Sequence, residues 1–284
     1  MIEFGRYTLH ALETGRFRLD GGAMFGIIPR PLWERRIIPD ARNRIELAMR
    51  CLLIEGDGRV ILVDDGLGDK YDDKFADIYG VDHGSGTLDR ALEEAGIARE
   101  SITDVILTHL HFDHCGGSTR REEGGVVPAF PQARFYVQQR HWDWAMHPNV
   151  REQGSFLAEN LTPLRMSDQL RLVDGEFELF SGIHLHLAHG HTEAQQLVRV
   201  TDGARNLVFV ADLLPTVHHL APAWNMAFDV RPLVTIEEKG QFLARATASG
   251  WSLFFEHDPQ IVVADLEATA RGFATHSHRG LSEL

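Results

Sequence analysis

The stretch THLHFDHCGG, at residues 108–117, constrains this chain more than any other part of its sequence. It places three histidines and one aspartate within six positions, directly after the apolar run at residues 105–107. At the end of a strand, side chains two positions apart point the same way, so the first two histidines can bind one metal ion together. The aspartate and the third histidine follow in a turn and can reach a second ion. The four residues are His109, His111, Asp113 and His114.

A hydrolytic site with two metal ions needs about three protein ligands per ion and a bridging group. The chain offers further ligands after predicted strands: His191 lies in LHLAHGHTEAQQ, Asp212 ends LVFVAD, and His257 lies in LFFEHD. Other interpretations exist for each position. His189 is an alternative ligand to His191, Asp212 could cap the next turn, and His257 could be a packed histidine at a strand end. We predict that His191, Asp212 and His257 complete the ligand set, and that Cys115 packs in the interior.

The rest of the pattern predicts an α/β protein. Residues 47–66 read as a hairpin with a Gly-Asp-Gly turn, and residues 87–98 have helical spacing. A later helix is predicted to begin at TIEE, where Thr235 and Glu238 have capping-box spacing. Helices that alternate with short apolar strands imply sheets covered by helices. Because no linker divides the chain, we expect one domain over residues 1–284. Further strands are predicted at 133–137, 184–188, 197–200, 207–210 and 253–255.

Composition limits the partners of the chain. A formal net charge of −13 disfavours nucleic acid, whose binding depends on neutralising phosphates. No apolar stretch approaches the ~20 residues that span a bilayer, so we expect no membrane partner. The N-terminus lacks the basic start and apolar core of a signal peptide, which favours a cytoplasmic protein. Two cysteines are too few for a disulfide framework.

Together, these motifs resemble the metallo-β-lactamase superfamily, from Asp65 in VDDG to the C-terminal region. The resemblance implies a four-layer αβ/βα sandwich with two mixed β-sheets and two divalent metal ions. Zinc is the default ion, and manganese, iron or cobalt are alternatives. On this sequence, the first metal would be bound by His109, His111 and His191, and the second by Asp113, His114 and His257, with Asp212 bridging them.

Asp212 also separates the branches of the superfamily, because true β-lactamases of this fold generally lack it. The segments LDGGAMFG, ADLLPT, PLVTIEEK and FFEHDP resemble the quorum-quenching N-acyl-homoserine lactonases. The resemblance implies opening of a lactone ring by a metal-bridging hydroxide, with Asp113, or secondly Asp212, carrying a proton to the leaving alcohol. Where many of these lactonases have a tyrosine, this chain has Pro215. Hydrolysis of other esters or of phosphotriesters, as by methyl parathion hydrolase, is the alternative, and a glyoxalase II-type thioesterase is less favoured.

Apolar residues outside the predicted strands indicate a small-molecule substrate with an apolar substituent rather than a charged thioester. Some of these residues are expected to be plain core packing instead. The resemblance also leads us to expect a homodimer. The predicted substrate contacts are Met24, Phe25, Trp33, His218, Trp224 and Phe228.

Overall fold

The computed structural model describes residues 1–84, 86–270 and 272–284. The chain divides into two compact units. Unit 1 comprises Met1–Arg16 and Met49–Gly175, and unit 2 comprises Phe17–Ala48 and Glu176–Leu284. The single domain over residues 1–284 stays a prediction.

The sheet of unit 1 is mixed and has the order β1-β2-β3-β4-β5-β8-β9. The last residues of β2 and the first of β3 belong to unit 2. A separate hairpin is formed by β6 and β7. The strands are β1 (Ile2–Phe4), β2 (Tyr7–Asp20), β3 (Arg44–Gly56), β4 (Arg59–Val63), β5 (Asp104–Ile106), β6 (Thr119–Glu122), β7 (Gly125–Pro128), β8 (Arg134–Gln138) and β9 (Leu170–Val173).

Two features of this sheet bring polar residues to one edge. The predicted hairpin is present as β3 and β4, and its turn residues Asp57 and Gly58 both have positive φ, 50° and 73°. Both angles suit the tight turns that match strand twist. Beyond the hairpin, β4, β5 and β8 run parallel, with Val63 opposite Ile106 and Ile106 opposite Tyr136. The residues that follow these strands therefore emerge at the same edge of the sheet.

Among the described residues, five α-helices belong to unit 1 and three to unit 2. In unit 1, Leu88, Ala91 and Leu92 of the predicted helix at residues 87–98 pack into the buried core. The helices are α1 (Gly21–Phe25), α2 (Arg30–Trp33), α3 (Asp73–Tyr79), α4 (Leu88–Glu94), α5 (Phe112–Cys115), α6 (Gln139–Met146), α7 (Ala158–Met166) and α8 (Pro232–Ala248).

The sheet of unit 2 runs in sequence order from β10 to β16. Neighbouring strands are antiparallel except β13 and β14, which are parallel with Phe209 opposite Phe254. As a result β11, β13 and β14 point the same way, and the residues after them emerge at one edge. The strands are β10 (Glu178–Phe180), β11 (Ile183–Ala188), β12 (Gln195–Thr201), β13 (Asn206–Phe209), β14 (Ser252–Phe254), β15 (Val263–Thr269) and β16 (Gly272–Arg279).

Helix α8 packs against β15, and it corrects one prediction. The helix begins at Pro232, because proline suits the first turn, where no N–H partner is needed. The capping box at Thr235 was therefore wrong: Thr235 lies inside the helix, and the hydroxyl of Thr235 donates to the Arg231 carbonyl. Glu238 instead accepts hydrogen bonds from the backbone N–H groups of His189 and Gly190, each 2.9 Å long.

Within the described ranges, no helix combines the length and the apolar character that a bilayer crossing requires.

Candidate metal centre

In unit 1, the residues after β5 form what we call the motif cluster: His109, His111, Asp113 and His114, all buried. His109 Nε2 lies 3.1 Å from His111 Nδ1, and the rings of His109 and His114 have centroids 3.9 Å apart. His114 Nε2 lies 3.8 Å from an Asp113 carboxylate oxygen. The spacing read from the sequence therefore brings these four side chains together, because α5 begins directly after His111 and turns the last two back toward the first.

The second nitrogen of each histidine in the motif cluster has its own partner. Such contacts are typical of metal-binding histidines, because they fix the tautomer and orient the ring. The contacts are His109 Nδ1 with Thr108 Oγ1 at 3.0 Å, His111 Nε2 with Glu152 Oε1 at 3.3 Å, and His114 Nδ1 with Asp64 Oδ2 at 3.0 Å.

The sequence pattern VDDG contributes two aspartates with different roles. Asp64, directly after β4, contacts His114 and also accepts hydrogen bonds from the Thr108 N–H, at 2.7 Å, and hydroxyl, at 2.6 Å. The parallel pairing of β4 with β5 places it there. Asp65 instead accepts a hydrogen bond from Ser118, and burial raises the pKa of Asp65 to about 8. The carboxylate that orients a candidate ligand is thus Asp64, although Asp65 carried the resemblance.

Two further buried residues support the motif cluster, and the sequence analysis missed both. Glu152, which contacts His111, accepts hydrogen bonds of 2.7 Å from Trp144 Nε1 and Asn149 Nδ2. His141 Nε2 accepts a 2.8 Å hydrogen bond from the N–H of Leu110, between the first two ligands. These residues lie on α6 and the loop after it, far from the motif in sequence, so no local spacing indicates them.

In unit 2, three residues form what we call the Asp212 cluster: His191, Asp212 and His257. His191 Nε2 lies 3.2 Å from Asp212 Oδ2, and His257 Nε2 lies 3.1 Å from Asp212 Oδ1. The two oxygens of this carboxylate therefore face two different histidines. The cluster forms because β11, β13 and β14 share a direction and each is followed by one of these residues. His189 instead contacts Glu193, with 3.4 Å between Nδ1 and Oε1.

The Nδ1 atoms of both histidines in the Asp212 cluster also have partners outside the cluster. His191 Nδ1 lies 3.1 Å from Asp229 Oδ1, and His257 Nδ1 lies 2.8 Å from the Ala48 carbonyl oxygen. The backbone beside His191 is tight, since a Cβ on Gly190 would lie 2.3 Å from the Thr235 nitrogen. The position of His191 is thus fixed through both its ring and its backbone.

The donor atoms of both clusters suit a divalent metal. Imidazole nitrogens and carboxylate oxygens are ligands that zinc and similar borderline ions prefer, and the residues are buried and could hold such ions. Each histidine ring has one nitrogen held by a residue outside its cluster, while its other nitrogen faces cluster members. The chemistry of the residues therefore fits a metal centre.

The predicted substrate contacts, all in unit 2, have different surroundings. Met24, Phe25 and Trp33 lie in the interior. Phe25 stacks on Trp33 with ring centroids 5.5 Å apart and touches the Trp224 ring edge-on at 5.6 Å. His218 and Trp224 are half-buried and Phe228 is exposed. Three of the six therefore pack as core residues, and substrate contact at any of them stays a prediction.

An aromatic group that was not among the predicted substrate contacts lies beside the motif cluster in unit 1. An aromatic cluster is formed by Tyr71, by Phe75 and Tyr79 of α3, and by Phe112, the residue between His111 and Asp113. The Phe112 ring has its centroid 5.1 Å from that of Phe75 and 4.9 Å from that of Tyr79. Burial and the nearby charge of Asp113 raise the pKa of the Tyr79 hydroxyl. Aromatic residues at i and i+4 of a short helix signal such a surface, but only the fold shows that Phe112 joins it.

Comparison with known proteins agrees with this description. Residues 48–232 match the metallo-beta-lactamase superfamily. Over 177 residues the chain is 24% identical to an N-acyl homoserine lactonase from Bacillus cereus, which covers 59% of this chain and 64% of the lactonase. The chain thus spans less than two thirds of that relative.

Solved structures extend the likeness to nearly the whole chain. A probable metal-dependent hydrolase from Staphylococcus aureus is 26% identical, with a TM-score of 0.89 over 99% of this chain and 100% of that one. AidC, a dizinc quorum-quenching lactonase solved with its product, is 22% identical, with a TM-score of 0.82 over 99% of this chain and 97% of that one. The second likeness concerns the fold alone.

The chain belongs to the metallo-β-lactamase superfamily and has its α/β fold with two mixed sheets, as the motifs predicted. The lactonase among the relatives and the probable metal-dependent hydrolase among the solved structures agree with the predicted class of enzyme.

Proposed function

We propose that the protein is a dinuclear metal-dependent lactonase that opens N-acyl-homoserine lactones. The observation that carries the proposal is the Asp212 carboxylate, whose two oxygens face His191 Nε2 and His257 Nε2. A carboxylate of this kind suits a bridge between two ions. With it, His109, His111 and His191 would hold one ion, and Asp113, His114 and His257 the other.

The bound ions, with zinc as the expected metal, would lower the pKa of water and polarise the ester carbonyl. The other steps belong to residues of the chain. Asp64, Glu152 and Asp229 hold the outer nitrogens of three ligand histidines, so the inner nitrogens stay in place during turnover. Asp113 is the residue we assign to carry a proton to the leaving alcohol through its carboxylate, with Asp212 as the second choice.

The substrate class rests on the aromatic cluster. Tyr71, Phe75 and Tyr79 are half-buried, and their rings continue from Phe112, which directly precedes Asp113. An apolar surface that begins at a candidate catalytic residue fits an acyl chain, and aromatic side chains supply large contact areas. The highly charged glutathione thioesters of glyoxalase II would gain little from it. Lactonases among the relatives and fold neighbours also support this class.

The experiment compares initial hydrolysis rates of the zinc-loaded protein on a long-acyl homoserine lactone and on a phosphotriester, using a weakly buffered pH-indicator assay. We expect faster turnover of the lactone and a loss of at least about 100-fold in Asp212→Ala, since a ligand to both ions is removed. Asp202→Ala, in the turn before β13, is the control and should match the wild type. A protein that binds metal but leaves the lactone intact contradicts the proposal, and preference for the phosphotriester favours the second candidate function.

A further inference from the structure

Helix α8 carries a buried cation that the proposed chemistry does not use. The side chain of Lys239 is 1% exposed, and burial lowers the pKa of its ammonium group to about 8. Burying an ammonium group is costly unless it is paired and hydrogen-bonded. The hydrogen-bond partners of Lys239 should therefore indicate what the buried ammonium group does.

The neighbours of Lys239 belong to one segment, residues 221–229, which we call the Lys239 loop. Lys239 Nζ donates hydrogen bonds to the carbonyl oxygens of Ala221, at 3.0 Å, and Trp224, at 2.9 Å. The opposite charge of Asp229, at the far end of this loop, favours the ammonium form of Lys239. The lysine thus restrains the start of the loop by hydrogen bonds and its end by charge.

The end of the Lys239 loop reaches a candidate metal ligand. Asp229, itself 1% exposed, has one carboxylate oxygen 3.1 Å from His191 Nδ1 and the other 3.2 Å from Asn225 Nδ2. The next residue, Val230, donates its N–H to the His191 carbonyl oxygen at 3.1 Å. Any shift of the loop therefore moves the contacts that orient the His191 ring.

We propose that Lys239 is a positioning residue for the metal centre: it fixes the Lys239 loop so that Asp229 holds His191 in its ligating orientation. This inference rests on His191 being a ligand in the proposed function. It makes the metal affinity depend on a residue of α8 whose hydrogen bonds go to loop carbonyl oxygens and not to a candidate metal ligand. Trp224, within the same loop, is also a candidate substrate contact, so the loop joins the metal and the substrate regions of unit 2.

The test measures zinc dissociation constants by chelator competition for Lys239→Met, Asp229→Asn and the double variant. We expect each single variant to raise the zinc dissociation constant about 10-fold, as loss of an outer-shell partner does. Because Lys239 acts through Asp229, the double variant should be no more than about twofold weaker than Asp229→Asn alone. Gln241→Met, an exposed change on the same helix, should bind zinc as the wild type does.

Wild-type affinity in Lys239→Met would overturn the proposal, and so would a double variant whose loss equals the product of the two single losses. Should Lys239→Met not fold, Lys239→Gln removes the charge and keeps a donor for the carbonyls, and the same two criteria apply to it. Hydrogen exchange of the metal-free proteins adds a second readout. In Lys239→Met we expect faster amide exchange than in the wild type, confined to residues 221–229. The wild-type lactone assay is separate: its failure rejects the lactonase function, whereas the zinc constants decide the role of Lys239.

Discussion

The motif cluster and the Asp212 cluster use the same kinds of side chain but are built differently. The motif cluster comes from one loop and one turn of helix within six positions. The Asp212 cluster gathers one residue from each of three segments. Its members that lie farthest apart in sequence, His191 and His257, come together because β11, β13 and β14 share a direction. A local cluster needs correct spacing, whereas a dispersed one needs three loops to be held separately.

The carboxylates that orient one histidine of each cluster also differ in how they are held: Asp64 contacts His114, and Asp229 contacts His191. Asp64 directly follows β4 and accepts three contacts from the segment after the neighbouring parallel strand. Asp229 lies in a long loop and depends on Asn225 and Lys239 for its position. The support of His114 is therefore expected to tolerate loop changes that the support of His191 does not.

The largest predicted effect compares these two supports. Asp64→Asn should weaken zinc binding about 100-fold and Asp229→Asn about 10-fold, near the two ends of the range for outer-shell partners. In Asp64→Asn the side chain cannot keep all three contacts, with the Thr108 N–H, the Thr108 hydroxyl and His114, because an NH2 donor replaces one of the two carboxylate oxygens. Chelator competition measures both variants. Equal losses would remove the distinction between a strand-anchored and a loop-anchored carboxylate.

A smaller effect is predicted at the aromatic cluster. Phe75→Ala should lower the preference, in kcat/KM, for a decanoyl over a butyryl homoserine lactone by about 10-fold, or ~1.4 kcal/mol of lost apolar contact. Metal content should not change. Ile78→Ala removes an exposed apolar side chain from the same helix and is the control. An unaltered chain-length preference would place the acyl chain elsewhere.

The smallest effect on the rate of hydrolysis is expected at Asp65, where the predicted change is in the free energy of unfolding and its dependence on pH. The pKa of Asp65 in the folded protein, about 8, exceeds its ordinary value of 3.8, so between about pH 4 and 8 the folded state binds more protons than the unfolded state. The stability from the protonated form is present below that window and is lost as the pH rises through it, by at most ~1.4 kcal/mol per pH unit.

Asp65→Asn cannot titrate, so its advantage over the wild type should grow from pH 5 to pH 8. Denaturant unfolding of the metal-free protein across this range measures it. Asp69→Asn, at an exposed neighbour, should show no such trend. A constant difference between Asp65→Asn and the wild type would mean that Asp65 is ionised throughout.

Sequence patterns predicted the family, the fold class and the hairpin of β3 and β4, because turn chemistry and ligand spacing are local. They also indicated residues of both clusters, since each follows an apolar strand. Glu152, Asp229 and Lys239 were missed, because a buried polar residue in a loop or helix looks like a surface residue until the fold shows its partner. The capping box at Thr235 failed since Pro232 begins the helix earlier, and Glu238 serves the His191 loop instead.

The buried thiols of this chain have a practical consequence. Cys115 is fully buried and donates a hydrogen bond to the Leu110 carbonyl oxygen, and burial raises the pKa of its thiol well above the usual value. Cys51 is equally inaccessible. Because alkylation requires an exposed thiolate, both should stay inert to maleimides in the folded protein. A fluorescent or spin label could then be attached to one cysteine introduced at an exposed site, with the native cysteines left in place.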